Sequence, residues 1–415
     1  MIRIIKNLLR PTWRKAYKFY DKKYRDYKAF EVPIEKLLRG GENGIRSGKW
    51  AEITGDFLRP STPIREGHHT KLLQLYDKIG DKIFEDKIFK ETDYYKNACE
   101  SIRLTGSYFY DRPDQIKTLA ERFIAQHKGE QLDLPKQPGQ SDADQPIWVR
   151  PIRDSTYYEV IDGNHRIARA IMRGDQTIKA LVYYEEAHHT PLQRLLLDVL
   201  WINHKKWLYQ PVESSEIKDQ WILVRKCEDR LQMMKDFLKE KALVDKPGSY
   251  FDIASSYGWF VNEFSKMRFD AYGMERDCMA IDVGEKVYGL PKEKVMNQEV
   301  SLGLATLVKE KKKYDVVSLL SILHHFVLHK NSVTAEELIQ LVDKVTGKVL
   351  FLDTGEAQEP AFVDLLPDWD QEFIQDWIKK HTSFTKVIPL GVDNDRKKPF
   401  ETYYNRMLFA CVREN

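Results

Sequence analysis

Two short stretches hold side chains whose types and spacing suit chemistry. His324 and His325 follow the apolar run Tyr314-Asp315-Val316-Val317-Ser318-Leu319-Leu320-Ser321-Ile322-Leu323. A buried strand ending there brings the pair to the mouth of a sheet crevice, and neutral imidazole takes up a proton near pH 7. The alternative for either ring is structural, packing under a ligand or capping the next helix. Earlier in the chain, Val160-Ile161-Asp162-Gly163-Asn164-His165-Arg166 reads as a strand end, a glycine turn and a helix start. Backbone donors at such a helix start, with His165 and Arg166 beside them, suit a phosphate. On spacing alone, Asp162 capping the helix explains the same residues. A third cluster, Arg59-Pro60-Ser61-Thr62-Pro63-Ile64-Arg65-Glu66-Gly67-His68-His69, sets Arg59 and Arg65 on a loop with two hydroxyls. It clamps a phosphate or sugar phosphate, or it serves only to shape the loop. His324, His325, His329 and Asp353 could be recruited to a metal, but no ligand spacing among them is strong, and no metal site is expected.

These residues need elements to position them. Ile147–Ile152, Tyr157–Ile161 and Ile178–Tyr184 have the β-branched and aromatic content of strands, after a polar loop over Lys128–Gln145. Leu192–Trp207 and Arg225–Lys241 have helical periodicity. After Lys246-Pro247-Gly248, strands and helices alternate, which implies a mostly parallel sheet. There, Tyr250–Ala254 forms a strand, Ser255–Gly258 a tight turn and Trp259–Lys266 a helix. A second strand, Ala271-Tyr272-Gly273-Met274-Glu275, ends in a carboxylate. In a doubly wound sheet this layout lays a small-residue turn under a nucleoside and an acid at its ribose hydroxyls. An NAD-binding unit has nearly the same layout.

The segment from Ser249 to Val412, about two fifths of the chain, resembles the class I S-adenosylmethionine-dependent methyltransferases and runs in their order. The first-strand motif is Phe251-Asp252-Ile253-Ala254-Ser255-Ser256-Tyr257-Gly258, and the second-strand acid is Glu275. The fourth strand leads to His324, the fifth is Lys348–Asp353 before Thr354-Gly355-Glu356, and Phe384–Leu390 with Arg406–Val412 looks like the closing antiparallel pair. The resemblance implies cofactor contacts from Asp252, Ala254, Ser255, Gly258 and Ser321, a ribose contact from Glu275, and adenine contacts from Asn297 and Gln298. It makes His324 and His325 the catalytic candidates, since methylation of a hydroxyl needs a base. The family usually has two or three glycines in the first turn; here Ala254, Ser255 and Ser256 take most of those places. Residues Asp162 to Arg166, with Val32-Pro33-Ile34-Glu35-Lys36-Leu37 as an opening strand, resemble the ParB/sulfiredoxin-like superfamily. That likeness implies nucleotide phosphates at Gly163, His165 and Arg166, with Asn164 in the same turn, and allows ATP or another nucleotide.

The expected fold is therefore α/β: a Rossmann-like, doubly wound methyltransferase sheet after a smaller ParB/sulfiredoxin-like α/β domain. The expected division is a basic amphipathic helix over 1–29, the first domain over 30–190, a helical connector over 191–245 and the methyltransferase over 246–415. Ten basic residues between Met1 and Lys28, against Asp21 and Asp26, suit peripheral contact with an anionic membrane or a phosphate-bearing polymer; the plainer reading is a helix that packs its aromatic stripe on the next domain and leaves a solvated basic face. Over the whole chain the net charge is only +3 in 415 residues, which speaks against nucleic acid as the partner. Four scattered cysteines suit a reducing compartment, and no apolar run has the length of a membrane span or a secretory signal. The expected location is cytoplasmic, allowing a peripheral place on the inner face of the membrane. The expected function is O-methylation of a sugar or saccharide, a surface polysaccharide or sugar phosphate, with nucleotide binding or a kinase activity in the first domain. The alternative is a non-catalytic ligand-binding scaffold whose methyltransferase domain is degenerate.

Overall fold

In the computed structural model, Ser249–Ile253 is buried on both faces, as its apolar run demands of a central parallel strand. The structure describes residues 28–42, 44–106, 108, 115–130, 145–182, 187–243, 247–328, 333–392, 394, 400, 403 and 405–413. The basic segment over 1–27 and His329 lie outside them. The chain forms two units, residues 1–190 and 191–415.

The first unit holds five strands: β1 (Phe30–Pro33), β2 (Leu37–Leu38), β3 (Ile147–Pro151), β4 (Tyr158–Asp162) and β5 (Thr177–Val182). Their order is β1-β5-β3-β4-β2, with β5/β3 and β4/β2 parallel and the other pairs antiparallel. The three strands expected between Ile147 and Tyr184 are those of this sheet. Val32, Ile34, Val149, Ile167 and Ala180 fill its core. A second core lies among the helices His68–Ile79, Asp93–Thr105 and Ile116–Lys128, around Leu72, Leu73, Tyr94, Ala98 and Phe123.

The second unit opens with the helix Pro191–Leu197 and a short pair, β6 (Trp207–Leu208) and β7 (Ile222–Leu223). The helix expected to run to Trp207 stops at Leu197. Its Leu and Trp spacing is helical, but Asp277 Oδ2 captures the Leu200 amide at 2.7 Å, and Asn203 and His204 turn left-handed. The helix Glu228–Glu240 then leads to seven strands: β8 (Ser249–Ile253), β9 (Asp270–Glu275), β10 (Val295–Asn297), β11 (Tyr314–Leu320), β12 (Thr346–Asp353), β13 (Lys386–Val392) and β14 (Met407–Val412).

Their order is β10-β9-β8-β11-β12-β14-β13. The first five are parallel, β14 runs antiparallel to β12, and β13 antiparallel to β14. This is a Rossmann-like methyltransferase sheet, and the strand order reverses between β8 and β11. Ligands of open parallel sheets bind at that reversal, outside the carboxyl ends of the strands. Both faces are covered, one by the cluster of Leu304, Leu338, Ile339 and Val342, the other by Met234, Phe237, Phe260 and Phe264.

Close approach fixes the turn after β8. A Cβ on Gly284, in the helix Cys278–Tyr288, would stand 2.2 Å from the carbonyl oxygen of Tyr257. That oxygen is backbone and cannot swing aside. Gly284→Ala is expected to destabilise the second unit by about 1–3 kcal/mol, the usual cost of overpacking; urea denaturation measures it, and an unchanged midpoint would show that the helix can slide away.

Candidate functional site

The carboxyl ends of β8, β9, β11 and β12 bring most of the expected second-unit residues together. In the turn after β8, Ala254 (φ 59°), Ser256 (φ 54°) and Gly258 (φ 77°) are all left-handed. That conformation costs a residue with a Cβ about 1–2 kcal/mol, so the fold keeps a glycine-like path although the sequence supplies alanine and serine. Two side chains hold it there. Glu275 Oε2 accepts the Ser256 amide at 2.8 Å, and Oε1 accepts the Asp277 amide at 3.0 Å. Gln210 donates to the Ser255 carbonyl at 3.1 Å and accepts the Trp259 amide at 3.2 Å, satisfying the start of the next helix.

Asp252 lies beneath this turn, 3 % exposed. The Ser318 hydroxyl donates to its Oδ1 at 2.5 Å, a cross-strand bond that the register Asp252↔Ser318 makes possible. Burial pushes the Asp252 carboxyl up to about 7; Ser318 and Arg230 pull the other way, and Glu275 adds to the rise. Burial likewise raises Glu275, against the amides of Asp277 and Ser256. Ser255 is buried, and its hydroxyl has no hydrogen-bond partner among the described residues. Asn297 and Gln298 are exposed at the end of β10. Asn297 donates to the carbonyls of Glu275 and Arg276, both at 3.0 Å, and the Gln298 amide donates to Glu275 at 3.1 Å.

Sequence reasoning missed the charged floor on the other side of the reversal. Asp353, at the end of β12 and 1 % exposed, accepts from the Ser321 amide (2.7 Å) and hydroxyl (3.0 Å) on Oδ1. Its Oδ2 meets Arg230 at 3.1 Å and Arg225 at 3.5 Å. Burial opposes ionisation, but Arg225, Arg230 and Arg406 outweigh it and hold the carboxyl at about 2. Ser321, an expected cofactor contact, thus binds Asp353 and also accepts from Arg225 at 2.9 Å. Arg406 grips Glu359 through two bonds of 2.7 and 3.1 Å, and Glu356 accepts the Met407 amide. Of this floor the sequence motifs hold Ser321, Asp353 and Thr354-Gly355-Glu356, but none of its arginines.

The two histidines differ. His324 is buried, and its Nδ1 accepts the Gly355 amide at 3.2 Å, so the neutral ring carries its proton on Nε2. His325 is half-buried, with its ring 4.2 Å from that of His324. Among the described residues no group of three or more His, Cys, Asp or Glu is placed to hold a metal ion.

In the first unit Arg166 is committed to structure. It donates to the carbonyls of Gln145 (2.5 Å) and Pro146 (2.8 Å) and to Asp162 at 2.7 Å. Arg59 is buried against Glu42 at 2.6 Å and the Trp50 ring. Arg65 is half-exposed on the same loop. Gly163 is left-handed at φ 113° and precedes the helix Asn164–Arg173. His165 packs against His69 and Phe123, and burial followed by Arg169 and Arg166 presses its imidazole down to about 4.

No family model matches the chain, and no curated protein matches it in sequence. Solved structures do. WbdD is 16 % identical, with a TM-score of 0.42 over 53 % of this chain and 46 % of its own, so the match spans less than half of WbdD. A second WbdD structure, described as a bifunctional kinase-methyltransferase, gives 15 %, 0.41, 54 % and 46 %. The magnesium protoporphyrin IX methyltransferase of Synechocystis PCC 6803, with bound SAH, is 16 % identical, with a TM-score of 0.33 over 45 % of this chain and 82 % of its own. At such scores these likenesses place no residue; the strand order carries the fold.

Asp252 makes the site sensitive to pH. An acid whose pKa rises on folding contributes stability that is present below its unfolded value, near 3.8, and is lost as pH climbs through about 7. Asp252→Asn is therefore expected to lose less stability than the parent between about pH 4 and pH 8 in urea denaturation, the remaining slope coming from Glu275 and other groups. An identical slope would clear Asp252 of the effect.

Proposed function

We propose that residues 191–415 bind S-adenosylmethionine and methylate a hydroxyl oxygen, with a sugar or saccharide as the acceptor. The observation that carries this is the meeting of the glycine-like turn, Glu275 and the histidine pair at the strand-order reversal of a methyltransferase sheet. The buried Ser255 hydroxyl without a partner among the described residues, and the small side chains around it, fit a polar ligand close to the backbone. In this reading Ser255 and the left-handed turn hold the amino-acid end of the cofactor, Glu275 its ribose, and Asn297 and Gln298 its adenine edge. The cofactor supplies a methyl group already activated on a sulfonium, so the chain has only to align the acceptor and remove its proton. The His324 Nδ1 is engaged with Gly355 and its proton sits on Nε2, so His324 donates and orients. The half-buried His325 is then the base that accepts the hydroxyl proton. In the same unit the Trp201 ring lies 6.0 Å from that of Trp207 and 4.9 Å from that of Tyr209, an aromatic group that suits stacking on a sugar face.

One feature favours the alternative of a non-catalytic scaffold: both oxygens of Glu275 already accept backbone amides, and the turn carries side chains where glycines are usual. Calorimetric titration of the full chain with S-adenosylhomocysteine decides between them. Saturable binding, weakened about tenfold or more in Glu275→Ala, supports the cofactor site; no binding to the parent chain hands the unit to the scaffold reading. With binding established, His325→Ala is expected to cut methyl transfer about 10²–10⁴-fold while keeping affinity for S-adenosylhomocysteine. Equal loss of both would remove His325 as the base.

A further inference from the structure

Two hydroxyls lie deep in the second unit, where a polar group needs a partner. Tyr250 and Ser318 are both fully buried. The sheet sets them in a row with Asp252. Tyr250 and Asp252 stand on the same face of β8, and Ser318 on β11 is paired with Asp252 in the parallel register. The Tyr250 hydroxyl lies 2.6 Å from Ser318 Oγ, and Ser318 Oγ lies 2.5 Å from Asp252 Oδ1. Phe264 stacks on the Tyr250 ring at 3.6 Å, which fixes the inner end of the row.

The row has a direction. Ser318 owns a single hydroxyl hydrogen, and it goes to Oδ1, so towards Tyr250 the serine can only accept. Burial and then the charge of Asp252 hold the Tyr250 hydroxyl well above the ordinary phenol value, so it keeps its proton and donates. A proton on Oδ1 would reverse the row and leave the Tyr250 hydrogen without an acceptor among the described residues. Protonation of Asp252 is therefore directed to Oδ2. Among the described residues Oδ2 accepts no hydrogen bond, yet it is not one of the polar atoms shut off from solvent without a partner. The 3 % of Asp252 that stays exposed thus includes this oxygen. The charged groups facing Asp252 are Arg230, from the helix Glu228–Glu240, and Glu275, at the end of β9. Arg230 sends its Nη1 to Asp353 at 3.1 Å. Burial, against Ser318 and Arg230, lifts the Asp252 carboxyl to about 7, so near neutral pH Oδ2 is open to either a proton or a cation.

We propose that Ser318 is a positioning residue: backed by Tyr250, it keeps Oδ1 of Asp252 engaged, so that a ligand ammonium binds at Oδ2 in exchange for a proton. The proton leaves Oδ2 for solvent, and an N–H of the ammonium donates to the same oxygen. This rests on the cofactor site proposed above, since the amino-acid end of the cofactor carries such an ammonium. The family resemblance implies a contact at Asp252 but assigns nothing to Ser318 or Tyr250. An exchange of this kind makes affinity rise with pH until Asp252 is ionised before the ligand arrives.

The test is calorimetric titration of the full chain from about pH 5.5 to about pH 8, in buffers of different ionisation enthalpy. The ligands are S-adenosylhomocysteine and 5′-methylthioadenosine, which keeps the nucleoside and sulfur but has no amino-acid end. S-adenosylhomocysteine is expected to release close to one proton per site at about pH 6, and to lose about tenfold in affinity per pH unit below that. 5′-Methylthioadenosine is expected to release none and to bind with an affinity that does not follow Asp252. Ser318→Ala is expected to move the S-adenosylhomocysteine profile up by about one pH unit and to leave the other ligand unchanged. Tyr250→Phe shifts the profile the same way by less, and serves if Ser318→Ala does not fold. A merely structural role would weaken both ligands alike at every pH, and that result overturns the proposal. So does a profile that neither variant moves, or an equal proton release with 5′-methylthioadenosine. If neither ligand binds the parent chain, the cofactor site itself falls, and the proposal with it.

Discussion

The second unit depends on keeping one carboxylate ionised without water. Asp353 is 1 % exposed, and a lone carboxylate there would take up a proton. Arg225 and Arg230 prevent this directly, with Arg406 adding its field. Removing one member of such a buried set costs about 3–5 kcal/mol, because the other charges stay buried and unmatched. The set also fixes geometry. Asp353 pulls the Ser321 amide and hydroxyl onto one oxygen, Ser321 turns left-handed (φ 60°), and the short helix Leu323–Val327 with both histidines starts from that point. Arg225 and Arg230 come from the segment before the sheet, so the same carboxylate pins that segment to the strand ends.

Legibility in the sequence tracks the range of the forces involved. Strands β8, β9, β11 and β12 are readable because short apolar runs between turns leave few other ways to bury themselves. The strand order goes beyond periodicity, and resemblance to a known family supplies it. Periodicity overdraws the helix over Leu192–Trp207 because the residue that ends it, Asp277, is 77 positions from Leu200. Arg225 and Arg230 are invisible for a related reason. In a string of residues a buried arginine looks like any solvated one, and only a distant carboxylate distinguishes it. Sequence places His324 and His325 at the strand end as a pair, but their different duties rest on the Gly355 amide, which no spacing reveals.

The first unit shows the same limit from the other side. Its most recognisable signature, Asp162 to Arg166, uses Arg166 to hold its own turn to Asp162 and to the segment before β3. The conspicuous arginine of the second cluster, Arg59, commits its charge to Glu42. Arg39 carries no motif at all, yet it is largely buried and, among the described residues, forms no ion pair with a carboxylate. In Arg166 and Arg59, the cations that the motifs make visible are consumed by the turns that make the motifs.

The turn after β8 keeps a glycine-like path without its glycines. Two left-handed residues with side chains cost about 1–2 kcal/mol each. A hydrogen bond to a charged acceptor contributes about 1.5–3 kcal/mol, and Glu275 supplies two of them, to Ser256 and Asp277. These bonds offset the strain so long as Glu275 stays ionised. Ionised, a carboxylate offers about four lone-pair positions, and the amides of Ser256, Asp277 and Arg276 draw on them. A position left over can accept from a ligand hydroxyl, so on the proposed reading holding the turn and contacting a nucleoside are compatible duties of one side chain. The raised pKa of Glu275 couples them: protonation would loosen the turn and withdraw an acceptor in the same event.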